Sequence, residues 1–416
     1  MGNLKFGTND PLALYMGTSG STKAYFGTTE VYSGGGKDYS KEYLTFEILT
    51  GGVIGWAPYD ATPMYCSLND GVWDQIYQDI YVEPGDVVRL RGNTTNYGLD
   101  SASYCHFTST ASFNVEGNIL SLIYGDSFTG ETEFPSEDTF GFNFCGMFYG
   151  TGVVSAENLV LPQDVRNSCY RNMFENCTSL TAFPELPATS LYDTSYCYNN
   201  MFKGCTSLTT MPDLPATELG EYCYQNMFSG CTSLTGVSEL PATALTNSCY
   251  LGMFRGCRSL TTMPDLPATE LGEYCYQNMF SGCTSLTAVT TSLPATALTN
   301  SCYLGMFRNC TSLTSSPSLP ATTLAASCYQ NMFSGCTSIT AAPELPATKT
   351  TGSANYNGMF RGCSSLSYIK CMLKSPNNYS NWVEGVSGSG TFVKNPSATW
   401  NTGPNGIPEG WTVQDA

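Results

Sequence analysis

Histidine is nearly missing from this chain. His106 is the single copy in 416 residues, so thiol or hydroxyl nucleophiles have almost no imidazole base to activate them. Cysteine pairs at Cys-x2-Cys spacing are missing too, which removes the usual zinc signature. Charge is scarce: Asp, Glu, Lys and Arg make up 12% of the residues, and they sum to −17. An acidic chain of this kind is a poor partner for nucleic acid and for anionic membranes. No apolar run approaches the ~20 residues of a membrane span. The first residues, Met1 to Gly7, carry no apolar signal region. That weakens an exported adhesin or lipoprotein and fits a protein made in a cytoplasm and released by lysis. Paired catalytic carboxylates, phosphate loops and nucleotide fingerprints do not stand out. These absences predict a protein that is not an enzyme, with no catalytic residue, no cofactor and no metal.

What is present is repetition. A Met-Phe pair recurs nine times, beginning at Met147, Met173, Met201, Met227, Met253, Met279, Met306, Met332 and Met359. The steps are 26, 28, 26, 26, 26, 27, 26 and 27 residues. A period of this size means a solenoid of small units, each stacked on its neighbours. Such a protein offers a long repeated surface rather than one deep pocket, so binding is expected before catalysis.

In one copy, Cys169, Met173 and Cys177 fall at i, i+4 and i+8, which predicts one stripe of a short helix. Phe174 widens the stripe. Thr178 and Ser179 turn the chain, and Leu180, Phe183 and Leu186 then point inward from an extended segment. Pro184 and Pro187 forbid helix there. The expected unit is a short helix, a turn and a brief strand. Nine such units at ~4.8 Å would form a rod about 40 Å long.

The phrase Met-Phe-x-x-Cys-x-Ser-Leu-x-x-(apolar)-x-x-Leu-Pro resembles the BspA-type leucine-rich repeat of bacterial and phage surface proteins. The resemblance spans about 145 to 370. It implies a helix bearing aromatic-x-x-Cys and a strand bearing Leu-x-x-(apolar). The copy at Met147 lacks the following Cys and Ser-Leu and is expected to be a degenerate capping repeat.

Fifteen of the 19 cysteines sit at repeat positions, Cys169, Cys197, Cys223, Cys249, Cys275, Cys302 and Cys328 before Met-Phe and Cys177, Cys205, Cys231, Cys257, Cys283, Cys310, Cys336 and Cys363 after it. Eight residues of helix separate the two by ~12 Å, beyond disulfide reach. Neighbouring repeats are close enough to cross-link, but a ladder of reduced, buried thiols is the expected state.

Residues 1–37 read as short β-hairpins ending in a glycine joint at Gly34 to Gly36. The cadence Tyr15-Met16-Gly17-Thr18 and Tyr25-Phe26-Gly27-Thr28 resembles N-terminal segments of phage tail proteins, above all from phages of gut Bacteroides-group bacteria. This implies an anchor to other virion proteins; the plain alternative is a β cap. Residues 38–144 show strands every 8 to 15 residues, as at Tyr43 to Ile48, Asp79 to Arg91 and Phe113 to Tyr124, with turn signals at Asp70-Gly71 and Pro84-Gly85. That pattern predicts a β-sandwich. Residues 371–416 break the period and carry Trp382, Trp400 and Trp411, suited to a C-terminal β cap. The whole is therefore read as α+β: a β-rich segment, a sandwich, a leucine-rich-repeat solenoid over 145–370 and a cap.

Two surfaces are candidate ligand faces. The positions after each inward leucine give a hydroxyl stripe: Thr181, Thr209, Thr210, Thr235, Thr261, Thr262, Thr287, Thr314 and Thr340. Beside it runs a partly acidic column of Glu185, Asp213, Glu239, Asp265 and Glu344, interrupted at Ser318. Stacked carboxylates could gather cations; the plainer reading is a solvated face that blocks edge pairing. In the sandwich, Trp56, Trp73 and Tyr97 are candidate sugar platforms, although core is the ordinary place for such residues.

These features predict a phage tail or other virion fibre, anchored by its N-terminus and recognising a host-surface glycan or protein. Fibres of that kind are commonly trimers, so a homotrimer is the assembly the resemblance implies, although no heptad stalk is present. The alternative is a bacterial cell-surface adhesin; a polysaccharide-degrading enzyme stands third. Neither nucleic acid nor membrane insertion is expected.

Overall fold

The computed structural model describes residues 15–16, 23–26, 29–33, 37–58, 62–95, 97–98, 103–135, 143–287, 289, 292–376 and 379–416. The joint at Gly34 to Gly36 lies outside them. Three N-terminal strands, β1 (Tyr15–Met16), β2 (Lys23–Phe26) and β3 (Thr29–Ser33), form an antiparallel meander.

Nine strands follow: β4 (Leu44–Ile48), β5 (Gly52–Ala57), β6 (Tyr65–Leu68), β7 (Asp74–Gln75), β8 (Ile80–Val82), β9 (Val87–Arg91), β10 (His106–Ser109), β11 (Ser112–Asn118) and β12 (Gly152–Val160). They build a six-stranded sheet in the order β12-β11-β4-β9-β6-β7 and a three-stranded sheet in the order β10-β5-β8. Phe46 of the first sheet meets Phe107 of the second edge-on at 5.0 Å and stacks on Phe113 at 4.5 Å. The expected pair of strands over Phe113 to Tyr124 is corrected. The first is β11, but Ser121–Tyr124 is a short helix, α1. Asn118 accepts the Leu120 amide through its side chain at 3.0 Å, a local bond that turns the chain out of the sheet.

The larger sheet runs directly into the repeats. β12 pairs in parallel with β11, and Ser155 bridges Ala182 of the next level. The rings continue as well: Phe107 stacks on Phe148, and Phe148 on Phe174 at 5.2 Å. One buried cluster extends from Leu44 to Trp411.

Within the repeats the expected helix is not there, and its absence has a clear cause. The amides of Tyr170, Asn172, Phe174 and Asn176 donate to the carbonyls of Cys197, Asn199, Met201 and Lys203 in the next repeat. The alternate amides, of Arg171, Met173, Glu175 and Cys177, donate three residues back within their own repeat. Every fourth residue has left-handed backbone: Ser168, Asn172 and Asn176, then Tyr196, Asn200 and Gly204. The result is a ladder of consecutive tight turns, four residues per step. It brings i, i+4 and i+8 inward as a helix would, but sends half its hydrogen bonds sideways. Asn and Gly dominate the left-handed places because they tolerate positive φ best. The expected strand is also mostly lost. The proline-bearing return is held by isolated parallel bridges such as Ser190 to Glu218 and Ala244 to Glu270, with one two-residue pair, β13 (Thr323–Leu324) and β14 (Lys349–Thr350).

The Met-Phe pairs are buried, with Phe174, Phe228 and Phe280 at 0% exposure. Their rings stack from repeat to repeat at 5.2 to 5.9 Å. A parallel column of buried tyrosines runs from Tyr170 to Tyr356. The tail adds β15 (Tyr368–Cys371), β16 (Thr391–Lys394) and β17 (Thr412–Asp415), all parallel and in register. Trp382 closes the ring columns, and its indole donates to the Gly406 carbonyl at 2.6 Å.

Candidate binding surface

The return segment is where the repeats meet solvent. Leu180 is fully buried, and Pro184 and Leu186 are buried further along, so the residues between and beyond them face out. Thr181, Thr209, Thr210, Thr235, Thr261, Thr262, Thr287, Thr314 and Thr340 are all exposed. Their hydroxyls are not all free for a ligand. Thr181 donates to the Val154 carbonyl at 3.0 Å, Thr235 to Thr209 at 3.2 Å and Thr314 to Thr287 at 2.9 Å. The amides of the same threonines use the same carbonyls. Each of these residues thus clips its level to the one before it, while its methyl group and oxygen lone pairs remain outside. The stripe is a structural seam as well as a surface.

The acidic column is exposed at Glu185, Asp213, Glu239, Asp265 and Glu344. Glu344 is engaged with Lys370 at 2.8 Å, and that bond holds the lysine above its usual value. Ser318, where the acids are interrupted, donates to Ser292 at 2.6 Å. Next to it, Pro317 and Pro320 face Pro343 and Pro346 across a cleft of about 380 Å³. Among the described residues no group of three or more His, Cys, Asp or Glu side chains is arranged to hold a metal. No described helix is long and apolar enough to cross a membrane.

The aromatic candidates of the β region sit differently. Tyr97 is fully buried and donates to the Leu122 carbonyl at 2.6 Å. Trp56 is half-buried, packs on Phe107 at 4.9 Å and donates to the Thr62 carbonyl at 3.1 Å. Trp73 lies against Tyr43 at 5.0 Å, and the Arg91 guanidinium covers its ring at 4.4 Å. Arg91 also pairs with Asp126, which accepts from Tyr43 at 2.8 Å. Arg91 and Tyr43 together hold the Asp126 carboxyl below its ordinary range. Neither tryptophan is an open platform: each ring is committed to its neighbours.

Sequence reading missed other aromatics that reach the surface. Tyr77, two residues past β7, and Tyr81, in β8, are 83% and 81% exposed, beside or on the edge strand of each sheet. On the turn ladder, Tyr196 and Tyr222 stack at 4.5 Å, and the Arg171 guanidinium lies over Tyr196 at 5.1 Å. The signal for the second pair was Tyr at two successive levels of a column that holds Ser at Ser168, Ser248, Ser301 and Ser327.

A displayed surface, renewed at every level and carried on a shared core, defines a repeat protein of the leucine-rich kind. The chain belongs to the BspA type leucine-rich repeat family: the family model of that repeat region, six copies long, matches residues 146–279, 199–340 and 277–382, more than half of the sequence. No curated protein matches the chain. Repeats of this family suggest a surface or adhesion-type protein.

Proposed function

We propose that this is a non-enzymatic virion fibre protein of a phage, whose repeats form a solenoid that recognises a glycan or protein on the host surface. The observation that carries the binding role is the return face, on which exposed Thr and acidic side chains recur at successive levels beside a buried Met-Phe core. Residues 1–37 are the anchor in this reading, and β1 to β3 form a unit too small to hold a core of its own. A homotrimer is the assembly proposed. Deleting residues 1–35 tests the division of labour: the truncated chain should stay folded and bind host cells, yet fail to join particles. Normal incorporation of the truncated chain moves the anchor to 38–144.

The second reading, a bacterial cell-surface adhesin, draws on the family's association with surface proteins. Antibody labelling separates the two. Label on purified particles supports the fibre; label confined to the cell envelope, with none on particles, sinks it and leaves the adhesin.

A further inference from the structure

The cysteines of the repeats do not all have the same surroundings. Those after Met-Phe are uniform: Cys205, Cys231, Cys257 and Cys283 each donate to the backbone carbonyl of a phenylalanine in the preceding repeat, at 3.1 Å. Each such thiol is committed and sealed. In the column before Met-Phe, Cys197 and Cys223 differ. Their sulfurs are 3.8 Å apart across two adjacent repeats. The backbones at this level are directly bonded, Tyr198 N–H to the Cys223 carbonyl at 3.1 Å. That places the Cα atoms near the spacing of paired strands, about 4.8 to 5.5 Å, inside the window a disulfide needs.

We propose that Cys197 and Cys223 are a site of oxidative cross-linking that staples the Met201 repeat to the Met227 repeat. Thr194 organises the pair. Its hydroxyl donates to the Leu191 carbonyl at 2.8 Å and so accepts from Cys197, also at 2.8 Å, while lying 3.9 Å from the Cys223 sulfur. Three residues before Cys223 stands Gly220, which has no side chain to take up the second thiol. When Cys223 ionises, the Cys197 S–H can swing from Thr194 to the new thiolate. That bond holds the Cys223 thiol below its ordinary value against the upward push of burial. The Cys197 sulfur lies 2.8 Å from the Thr194 hydroxyl and 4.0 Å from the Ser195 carbonyl, and both of those residues are only half-buried, so a small reagent has a short way in.

The chemistry needs a small-molecule disulfide as oxidant. The Cys223 thiolate attacks one of its sulfurs, forming a mixed disulfide and releasing one small thiolate. Cys197 gives its proton to the small thiolate so released, then attacks the Cys223 sulfur and displaces the second, which takes up a proton from water. Two protein thiols and one small disulfide become one protein disulfide and two small thiols; two electrons pass to the reagent.

The test uses the reduced full-length chain and hydroxyethyl disulfide. The expected result is a loss of two hydrogens in intact mass and two fewer alkylatable cysteines than the 19 of the reduced chain. Trypsin should then yield the peptide ending at Lys203 joined to the one beginning at Gly204. Cys197→Ser and Cys223→Ser, checked for folding by circular dichroism, should each abolish that joined species, whereas Cys249→Ser should retain it. Retention of all 19 free thiols after prolonged exposure overturns the proposal. So does a cross-link that survives in Cys197→Ser.

Discussion

Each repeat has two sides made by different means. On the turn ladder, alternate amides bond the next repeat, the rings stack and cysteine thiols reach backbone carbonyls. On the return, prolines remove donors and the levels touch through single bridges and threonine hydroxyls. Irregularity falls on the second side. Leu186 to Met201 spans 15 residues where Leu214 to Met227 spans 13, and Met279 to Leu293 spans 14 where Met253 to Leu266 spans 13. Met-Phe to the following Cys is the same in all eight copies that have that Cys. Cohesion and display have been separated within a single turn of chain, so the displayed side can vary without loosening the stack.

The largest effect that would break this contrast is alkaline. Burial pushes the ladder thiols of Cys231, Cys249, Cys283, Cys302 and Cys363 up to about 12. A thiol raised on folding holds its proton more tightly in the native state. Its contribution is complete below the unfolded value of about 8.5 and is lost as pH rises from there toward about 12, at roughly 1.4 kcal/mol per pH unit for each group. Thermal melts should therefore change little between pH 6 and 8 and fall steeply above 9. A melting temperature that holds to pH 11 would mean the ladder is not the sealed side.

Next is Phe228→Ala. The ring is fully buried between Phe202 at 5.6 Å and Phe254 at 5.9 Å, so its loss should cost about 3–5 kcal/mol in denaturant unfolding. Smaller is Gly282→Ala. Its φ is +80°, and an added Cβ would meet only the Gly256 backbone, Cα at 3.7 Å and N at 3.8 Å, which are ordinary contacts. The cost is then backbone strain of about 1–2 kcal/mol. The matching change on the return, Gly236→Ala, points into open space and should shift the same midpoint hardly at all. Below the Gly282 change comes Thr314→Ala, which removes one exposed hydroxyl bond at 2.9 Å and should cost about 0.5–1 kcal/mol. If Thr314→Ala proves as damaging as Phe228→Ala, the return carries as much cohesion as the ladder.

The period, the inward residues and the outward stripe were legible in the sequence because apolar side chains recur at fixed places. The local backbone was misread for a physical reason. A four-residue turn and a 3.6-residue helix place Cys169, Met173 and Cys177 on one face almost equally well. The distinguishing signal was Asn or Gly every fourth residue, at Asn172 and Asn176, Asn200 and Gly204, Gly252 and Gly256. A helix disfavours both; a left-handed position asks for them. At the surface, exposure of Thr181 or Thr314 followed from spacing, but the carbonyl each hydroxyl reaches belongs to another repeat and has no local trace. The same holds for Trp73, whose ring is covered by Arg91 from a different strand.

Ser207–Thr235 and Ser259–Thr287 are identical, and each meets its successor in the same way: Tyr224 and Tyr276 donate to Cys249 and Cys302, and Phe228 and Phe280 to Met253 and Met306. Misaligned copying of a gene between two such stretches inserts or removes 52 residues. Every amide would still find the carbonyl it faces, and both ends would keep their caps. Inherited changes in length can therefore arrive two whole turns at a time, in a single event, with no intermediate that fails to fold.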